Sequence, residues 1–355
     1  MHMADALLSP AVGGAFIAAS GVTLALSARK IAAEADDRKV PLMGVMGAFV
    51  FAAQMINFSI PGTGSSGHIG GGILLTILLG PPAAFVTIAS VLVVQALLFA
   101  DGGILALGTN IWNLGFYPCF VGILIYRAIA GSRPAPARLS AAAMVAAVAS
   151  LEMGAFSVAL ETVLSGRSEL PLGRFAAVML GIHLPIGLVE GLVTVAVVNF
   201  LRRLRPEILE ETLPPEARSL RPALAALAAL AVLTGGGLAW FASSRPDGLE
   251  WSVARVTGTK GLEDSGSGLK KSLAEVQSAT ALLPDYGFKT AAPEAGAPEA
   301  ASTGAEPEPA WPAVSAGTSF SGIVGSVFVL GLAGLVGFIA VRLRGRKTGA
   351  EARTK

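Results

Sequence analysis

Long apolar runs separated by short polar punctuation make up most of the chain. The first covers 11–28 and is followed at once by Arg29 and Lys30. The second, 41–60, leads into the glycine-rich stretch Pro61-Gly-Thr-Gly-Ser-Ser-Gly-His68-Ile-Gly-Gly-Gly72. Then come 73–80, stopped by Pro81-Pro82, and runs over 83–100, 104–126, 139–164 and 175–201. Two more, 222–242 and 320–341, flank a polar segment at 243–318. A helix needs about 20 apolar residues to cross a hydrocarbon core, so most of these runs predict membrane-spanning helices. The stretch 69–80 is too short for a full crossing. It is either a re-entrant piece or a short span enclosed by protein.

The basic residues orient the runs. No Lys or Arg precedes 11–28, so it does not read as a secretory signal. The pair after it places the N-terminus outside and the Arg29 side in the cytoplasm. Counting 69–80 as a span puts Arg127, Arg133, Arg138, Arg202, Arg203 and Arg205 inside as well, whereas not counting it puts Arg127, Arg133 and Arg138 outside. The count is therefore seven spans over residues 1–201. A polar linker at 202–221 follows, with Pro206, Pro214 and Pro215. The rest reads as an accessory hairpin over 222–341. It has spans at 222–242 and 320–341 around an extracytoplasmic 243–318, then a basic cytoplasmic tail, 342–355. Within the loop, 290–313 is Ala/Pro/Glu-rich and is expected to be disordered. The fold class is an all-α integral membrane protein: a seven-helix transmembrane bundle plus a two-helix accessory hairpin.

Composition agrees. The chain has 355 residues, 53% hydrophobic and 14% charged, against about 25% charged in soluble domains. Its net charge of +2 gives no reason to expect nucleic acid as a partner; the lipid bilayer is the expected surrounding. The lone Cys119 lies in an apolar run, which excludes a cysteine-based metal site and an intramolecular disulfide. There is no Gly-x-x-x-x-Gly-Lys-Ser/Thr, so the chain is not itself a P-loop ATPase.

Three histidines remain: His2, His68 and His183. A chain starting Met1-His2 offers its α-amine, the His2 amide nitrogen and the His2 Nδ1 as three donors closing adjacent chelate rings. One in-plane position of a square stays open, and square nitrogen coordination suits Ni(II) or Cu(II). The competing reading of these residues alone is a disordered end. His68 sits in the glycine-rich loop on the same side and is a candidate for the fourth position, against a solvated loop histidine. His183 and Glu190, seven apart on one helix face, and Glu152 are ionisable groups within spans, which are functional candidates by default. His183 reads either as a support for a metal ligand or as a structural hydrogen-bond donor. Gln54, Asn57, Asn110 and Asn113 read as helix-to-helix hydrogen-bond formers. Gly44, Ala48 and Ala52, spaced by four, read as internal packing or as a docking stripe for a partner membrane protein.

Together these residues resemble a known family. Met1-His2, Asp5 and Leu8-Ser9-Pro10, with Pro41-Leu-Met-Gly-Val-Met46, Phe51-Ala-Ala-Gln-Met-Ile-Asn-Phe58, Gly67-His68, Val94-Gln-Ala-Leu-Leu-Phe99, Asp101-Gly-Gly103, Gly181-Ile-His183 and Gly187-Leu-Val-Glu190-Gly191, resemble the NikM/CbiM family. These are substrate-capture components of energy-coupling-factor nickel and cobalt transporters. Pro246-Asp-Gly-Leu-Glu250 and Leu283-Pro-Asp-Tyr286 resemble the NikN accessory subunit, here fused. Met3-Ala4 and Ala6 depart from the family's Ile-Pro and Gly. The resemblance implies seven helices in the capture unit and a metal held by Met1, His2 and His68, with Asp5, Gln54, Asn57, His183 and Glu190 as supporting or structural candidates. It implies Ni(II), or else Co(II), as substrate and no permanent cofactor. It also implies a transmembrane coupling subunit and cytoplasmic ATPases as partners, in a prokaryotic inner membrane. The competing function classes are an intramembrane enzyme using His183, Glu190 and Glu152, and a metal sensor signalling through its external loop.

Overall fold

The computed structural model describes residues 2–34, 36, 38–132, 135–204, 220–259, 268–289 and 311–351. Among them the architecture is helical, with one two-stranded antiparallel hairpin. The chain opens on a 3-10 turn, Asp5–Leu7, and runs into α1 (Pro10–Glu34) and α2 (Lys39–Gln54). β1 (Phe58–Ile60) and β2 (Ser65–Gly67) pair with Phe58 opposite Gly67. α3 (Gly72–Leu79) and α4 (Pro81–Leu98) follow. One continuous helical run is built from α5 (Leu107–Ile111), a π-helical stretch (Trp112–Gly122) and α6 (Ile123–Ala130). α7 (Pro136–Leu164) and α8 (Leu172–Leu204) complete the first part. The second part holds α9 (Arg221–Gly236), α10 (Gly248–Thr257), α11 (Gly268–Thr280) and α12 (Ala316–Glu351).

Among the described residues six helices are long and apolar enough to cross a membrane: α1, α4, the Leu107–Ala130 run, α7, α8 and α12. α1 shows what surrounds them. Only Gly13, Ser20, Ser27 and Ile31 of its 25 residues are buried, while Ile17, Val22 and Leu26 are exposed. A helix apolar all round that turns its apolar side chains outward needs a lipid solvent. α2 and α9 are shorter, at 16 residues each, a rise of about 24 Å. α3 has eight residues, of which seven are buried, so protein rather than lipid covers it, as so short a helix requires.

Two local devices make α3 possible. Gly71 has φ 76° and Gly80 φ 79°, left-handed values that glycine adopts without penalty. Gly80 hands the chain to Pro81, whose fixed φ suits a first helical turn. The start of α3 then lies on the π-helical stretch. A Cβ on Gly72 would overlap Pro118 and the Leu114 carbonyl. Pro118 lacks an N–H, which breaks the regular helical ladder, and the wider turns around it accommodate that loss.

The second part is wrapped onto the first. α9 and α12 pack on α2, and α12 also touches α1 and α4. Here the stripe Gly44, Ala48, Ala52 finds its neighbour. A Cβ on Gly44 would lie 2.9 Å from the Leu330 carbonyl oxygen of α12, and Ser326 donates to the Ala48 carbonyl at 3.4 Å. Ala48 and Ala52 are buried. The docking reading is thereby corrected: the helix laid along the small residues is α12 of the same chain, because only small side chains let two backbones approach so closely. The linker at 202–221 lies outside the described residues apart from its ends, and so does 290–310. Trp311 and Ala313, at the end of the stretch expected to be disordered, hydrogen-bond to the carbonyls of Phe241 and Trp240.

Candidate metal centre

The N-terminal arm is tied down through its backbone. Met3 donates its N–H to Asn110 Oδ1 at 2.8 Å, and its carbonyl accepts from Asn110 Nδ2 at 3.2 Å and Gly103 N at 2.9 Å. Asp5 Oδ1 accepts from Ala106 N at 2.9 Å, and Arg167 donates to the Ala6 carbonyl. Met3, Leu7 and Leu8 are buried, so apolar contact and hydrogen bonds act together. Asp5 is thus a structural acceptor for the 103–106 loop rather than a neighbour of the histidines. Gly103 must be glycine, since a Cβ there would overlap the Asp5 carboxylate.

The His68 loop is held from two other helices. Glu190 of α8 accepts from Gly70 N and Gly71 N, one carboxylate oxygen each, both at 3.0 Å. Gln54 of α2 donates to the Gly70 carbonyl at 2.7 Å and is itself held by Gln95 at 2.8 Å. His68 Nδ1 lies 3.0 Å from the Ile69 carbonyl. A carbonyl only accepts, so Nδ1 carries the proton and Nε2 keeps its lone pair. Burial lowers the His68 pKa to about 3, and the His2 ring beside it acts in the same direction. A ring kept neutral in this way is ready to bind a metal through Nε2.

Arm and loop meet at the two imidazoles. The His2 and His68 rings stack with centroids 5.1 Å apart and planes 11° from parallel. His2 Nδ1 lies 3.2 Å from Asp101 Oδ1, while His2 Nε2 is buried without a partner among the described residues. The nitrogen expected to take the metal is therefore engaged by a carboxylate here. Asp101 Oδ2 in turn accepts from the Tyr286 hydroxyl at 2.5 Å. Burial pushes the Asp101 carboxyl up, but the neighbouring His2 ring and hydrogen bonds from His2 and Tyr286 outweigh it and hold it below the usual range. Met1 lies outside the described residues. Among the described residues no three His, Cys, Asp or Glu side chains converge on one point.

The remaining sequence candidates sit elsewhere. His183 Nδ1 donates to the Met179 carbonyl one turn back at 2.8 Å. Its ring faces Gly248, where a Cβ would lie 3.1 Å from Cε1. Asn57 offers its backbone carbonyl to Ser243 N at 2.6 Å, and its side-chain oxygen is unpartnered among the described residues. Asn113 donates to Glu161 at 2.8 Å, a buried carboxylate that sequence reasoning did not single out. Among the described residues His183, Glu190 and Glu152 are not grouped as a metal site.

The second part of the chain reaches both loops of the centre. Ser66 donates its N–H to the Pro246 carbonyl at 2.8 Å and its hydroxyl to Arg245 O at 2.7 Å, and the Trp251 indole donates to Thr63 O at 3.0 Å. On the other loop, Gln277 Nε2 donates to Gly102 O at 2.6 Å and Ala96 O at 2.9 Å. Asp247 caps α10 through a reciprocal capping box with Glu250. The Asp-Gly-Leu-Glu motif is thus readable twice over: Asp and Glu start the helix, and Gly leaves room for His183.

A multi-pass helical membrane protein with a buried histidine pair between two tethered loops is the class these features define. The comparisons place it further. Residues 2–208 match the family model of CbiM, the cobalt uptake substrate-specific transmembrane region, and residues 221–342 match the PDGLE domain. The chain belongs to the CbiM family, a family of metal-transport membrane proteins, with a PDGLE domain fused behind it. The fused nickel transport protein NikMN of Rhodobacter capsulatus is 33% identical over 81% of this chain and 88% of its own length. A relative from Archaeoglobus fulgidus, provisionally given the same name, is 34% identical over 94% and 96%. The cobalt transport protein CbiM of Geobacter sulfurreducens is 30% identical over 59% of this chain and 61% of its own length. A crystal structure described as a truncated transition metal transporter is 32% identical, covers 57% of this chain and 99% of that one, and superposes with a TM-score of 0.50. These relatives are named as transport proteins, in keeping with a non-catalytic chain.

Proposed function

We propose that this chain is the substrate-capture subunit of an energy-coupled uptake transporter for a divalent transition metal, nickel in preference to cobalt. The ion is cargo. Its ligands are the Met1 amine, the His2 amide nitrogen and Nδ1, and His68 Nε2, a four-nitrogen set suited to Ni(II). The observation that carries this reading is the pair of imidazoles stacked 5.1 Å apart, each on a backbone tethered by different helices. Supporting it, His68 presents Nε2 with its lone pair free of the proton. Nickel is favoured because relatives that match 81% or more of this chain are named for nickel, and one that matches 59% of it is named for cobalt.

The reading includes seven spans over 1–201, the short α3 among them, and an accessory module over 222–341. The histidine pair and Ser243 to Lys289 face outside, and Arg342 lies at the cytoplasmic end of α12. A separate coupling subunit and ATPases in a prokaryotic inner membrane supply the energy. Protein purified with its native N-terminus and offered both metals is expected to retain one nickel per chain; retention of cobalt, or of neither, contradicts the assignment. Protease added to intact cells is expected to cut between Ser243 and Thr318, whereas cutting only in inverted vesicles reverses the topology. Accumulation of metal by the chain with no ATPase present contradicts the proposed energy source.

A further inference from the structure

We propose that Asp101 and Tyr286 form a layer behind His2 through which the PDGLE domain sets how tightly the first module holds its ion. The inference rests on His2 being a ligand, as proposed above. The two oxygens of Asp101 are divided between the modules: Oδ1 faces His2 Nδ1 at 3.2 Å, and Oδ2 takes the Tyr286 hydroxyl at 2.5 Å.

Tyr286 is placed with unusual care. Its ring stacks on Phe99 with centroids 4.8 Å apart and planes 15° from parallel. Leu283 N donates to Leu98 O and Asp285 N to Phe99 O, both at 3.0 Å. Asp285 and Tyr286 are adjacent non-glycine residues with φ of 50° and 59°. Left-handed backbone at two such positions is strained, and strain of this kind collects where a side chain must be aimed. Here the aimed group is a hydroxyl, and what it meets is Asp101.

The chemistry follows from the charges. An ion taking Nδ1 displaces the carboxylate from that nitrogen; the ring then carries its single proton on Nε2, and the His2 amide proton and the extra proton of the Met1 ammonium leave to solvent. A divalent ion held by an amine, one deprotonated amide and two neutral imidazoles keeps one positive charge. The Asp101 carboxylate, left beside it, balances that charge as long as it stays in place. The Tyr286 hydroxyl keeps it there. Asp101 and Tyr286 are positioning residues in this scheme: the first holds His2 while the centre is empty and stabilises the complex when it is full, and the second acts through the first.

The test uses the full chain with its native N-terminus, titrated with Ni(II). Asp101→Asn is expected to bind about 10–100-fold more weakly, the usual effect of losing a partner behind a metal ligand. Tyr286→Phe keeps the stack on Phe99 and removes only the hydroxyl. It is expected to bind about tenfold more weakly, with the melting temperature of the metal-free protein unchanged. The double variant should bind no more weakly than Asp101→Asn, because the charge that the tyrosine keeps in place is already gone. The ligand-field absorption of bound Ni(II) should shift in both single variants. Gln277→Ala loosens the same loop without touching Asp101 and should leave that absorption where it is. Unchanged affinity in Tyr286→Phe, losses that multiply in the double variant, or the same shift in Gln277→Ala each overturn the proposal. Failure of the unsubstituted chain to bind nickel overturns the ligand reading beneath it instead.

Discussion

Alanine at position 68 is expected to abolish high-affinity nickel binding, with a loss of more than about 100-fold, beyond the 10–100-fold typical of groups that only support a ligand. His68 supplies the single donor that does not come from the N-terminal arm. Without it the arm retains three nitrogens and water fills the fourth position. The loss is also structural in a specific way: the metal no longer ties the arm to the glycine-rich loop. His2→Ala should be as severe, because Nδ1 closes a chelate ring that no other described side chain can close. Both variants should fold. The His2 side chain bonds Asp101, the His68 ring bonds the carbonyl of the next residue and stacks on His2, and neither joins two helices directly. Isothermal titration with Ni(II) reads the result, and wild-type affinity in either variant removes that histidine from the ligand set.

Glu190→Ala carries the second-largest effect. Its carboxylate takes the Gly70 and Gly71 N–H groups, 120 and 119 residues away, at 3.0 Å each. Removing it strands two buried donors, each costing about 1–3 kcal/mol. His68 stands two residues before Gly70, so the loop that aims its ring loses its main anchor. The expected result is a lower melting temperature together with a nickel affinity reduced about 10–100-fold. Glu190→Gln should fall between, since an amide offers one acceptor oxygen and faces the other N–H with a donor. Unchanged affinity in Glu190→Ala would show that Gln54, which holds the Gly70 carbonyl, suffices to place the loop.

The legible part of the fold is the part written locally. Run lengths marked the helices, and the 69–80 run, too short for a full crossing, is the short α3 with seven of its eight residues buried. What covered the Gly44 stripe was not legible: small residues report that a helix comes close, not which one, and α12 lies nearly 300 residues away. The site shows the same division. Its histidines stand out because the chain has only three. Their tethers do not. Asn110 reads as any polar residue in a span until Met3 is seen against it, and Asp101 reads as loop punctuation until Tyr286, 185 positions later, reaches it. Such contacts join one side chain to a distant backbone or side chain and leave no period. Asp247 and Glu250 mark the opposite case, a capping box spelled out in adjacent residues.

The central claim is that the free amine of Met1 is a ligand, and the most direct measurement alters that amine alone. Coordination requires a free amine on Met1, since a formylated nitrogen is a poor donor. One residue added before Met1 moves the imidazole from position two to position three. The arm can then fill a square with its own four nitrogens, and His68 loses its place on the metal. Nickel uptake should be compared in cells making this extended form and a form with the same residue added after Lys355, at equal membrane abundance and with the extension checked as intact. The account predicts that the N-terminal extension cripples uptake while the C-terminal one leaves it near normal. Equal uptake by the two would contradict it, because the amine would then not be a ligand.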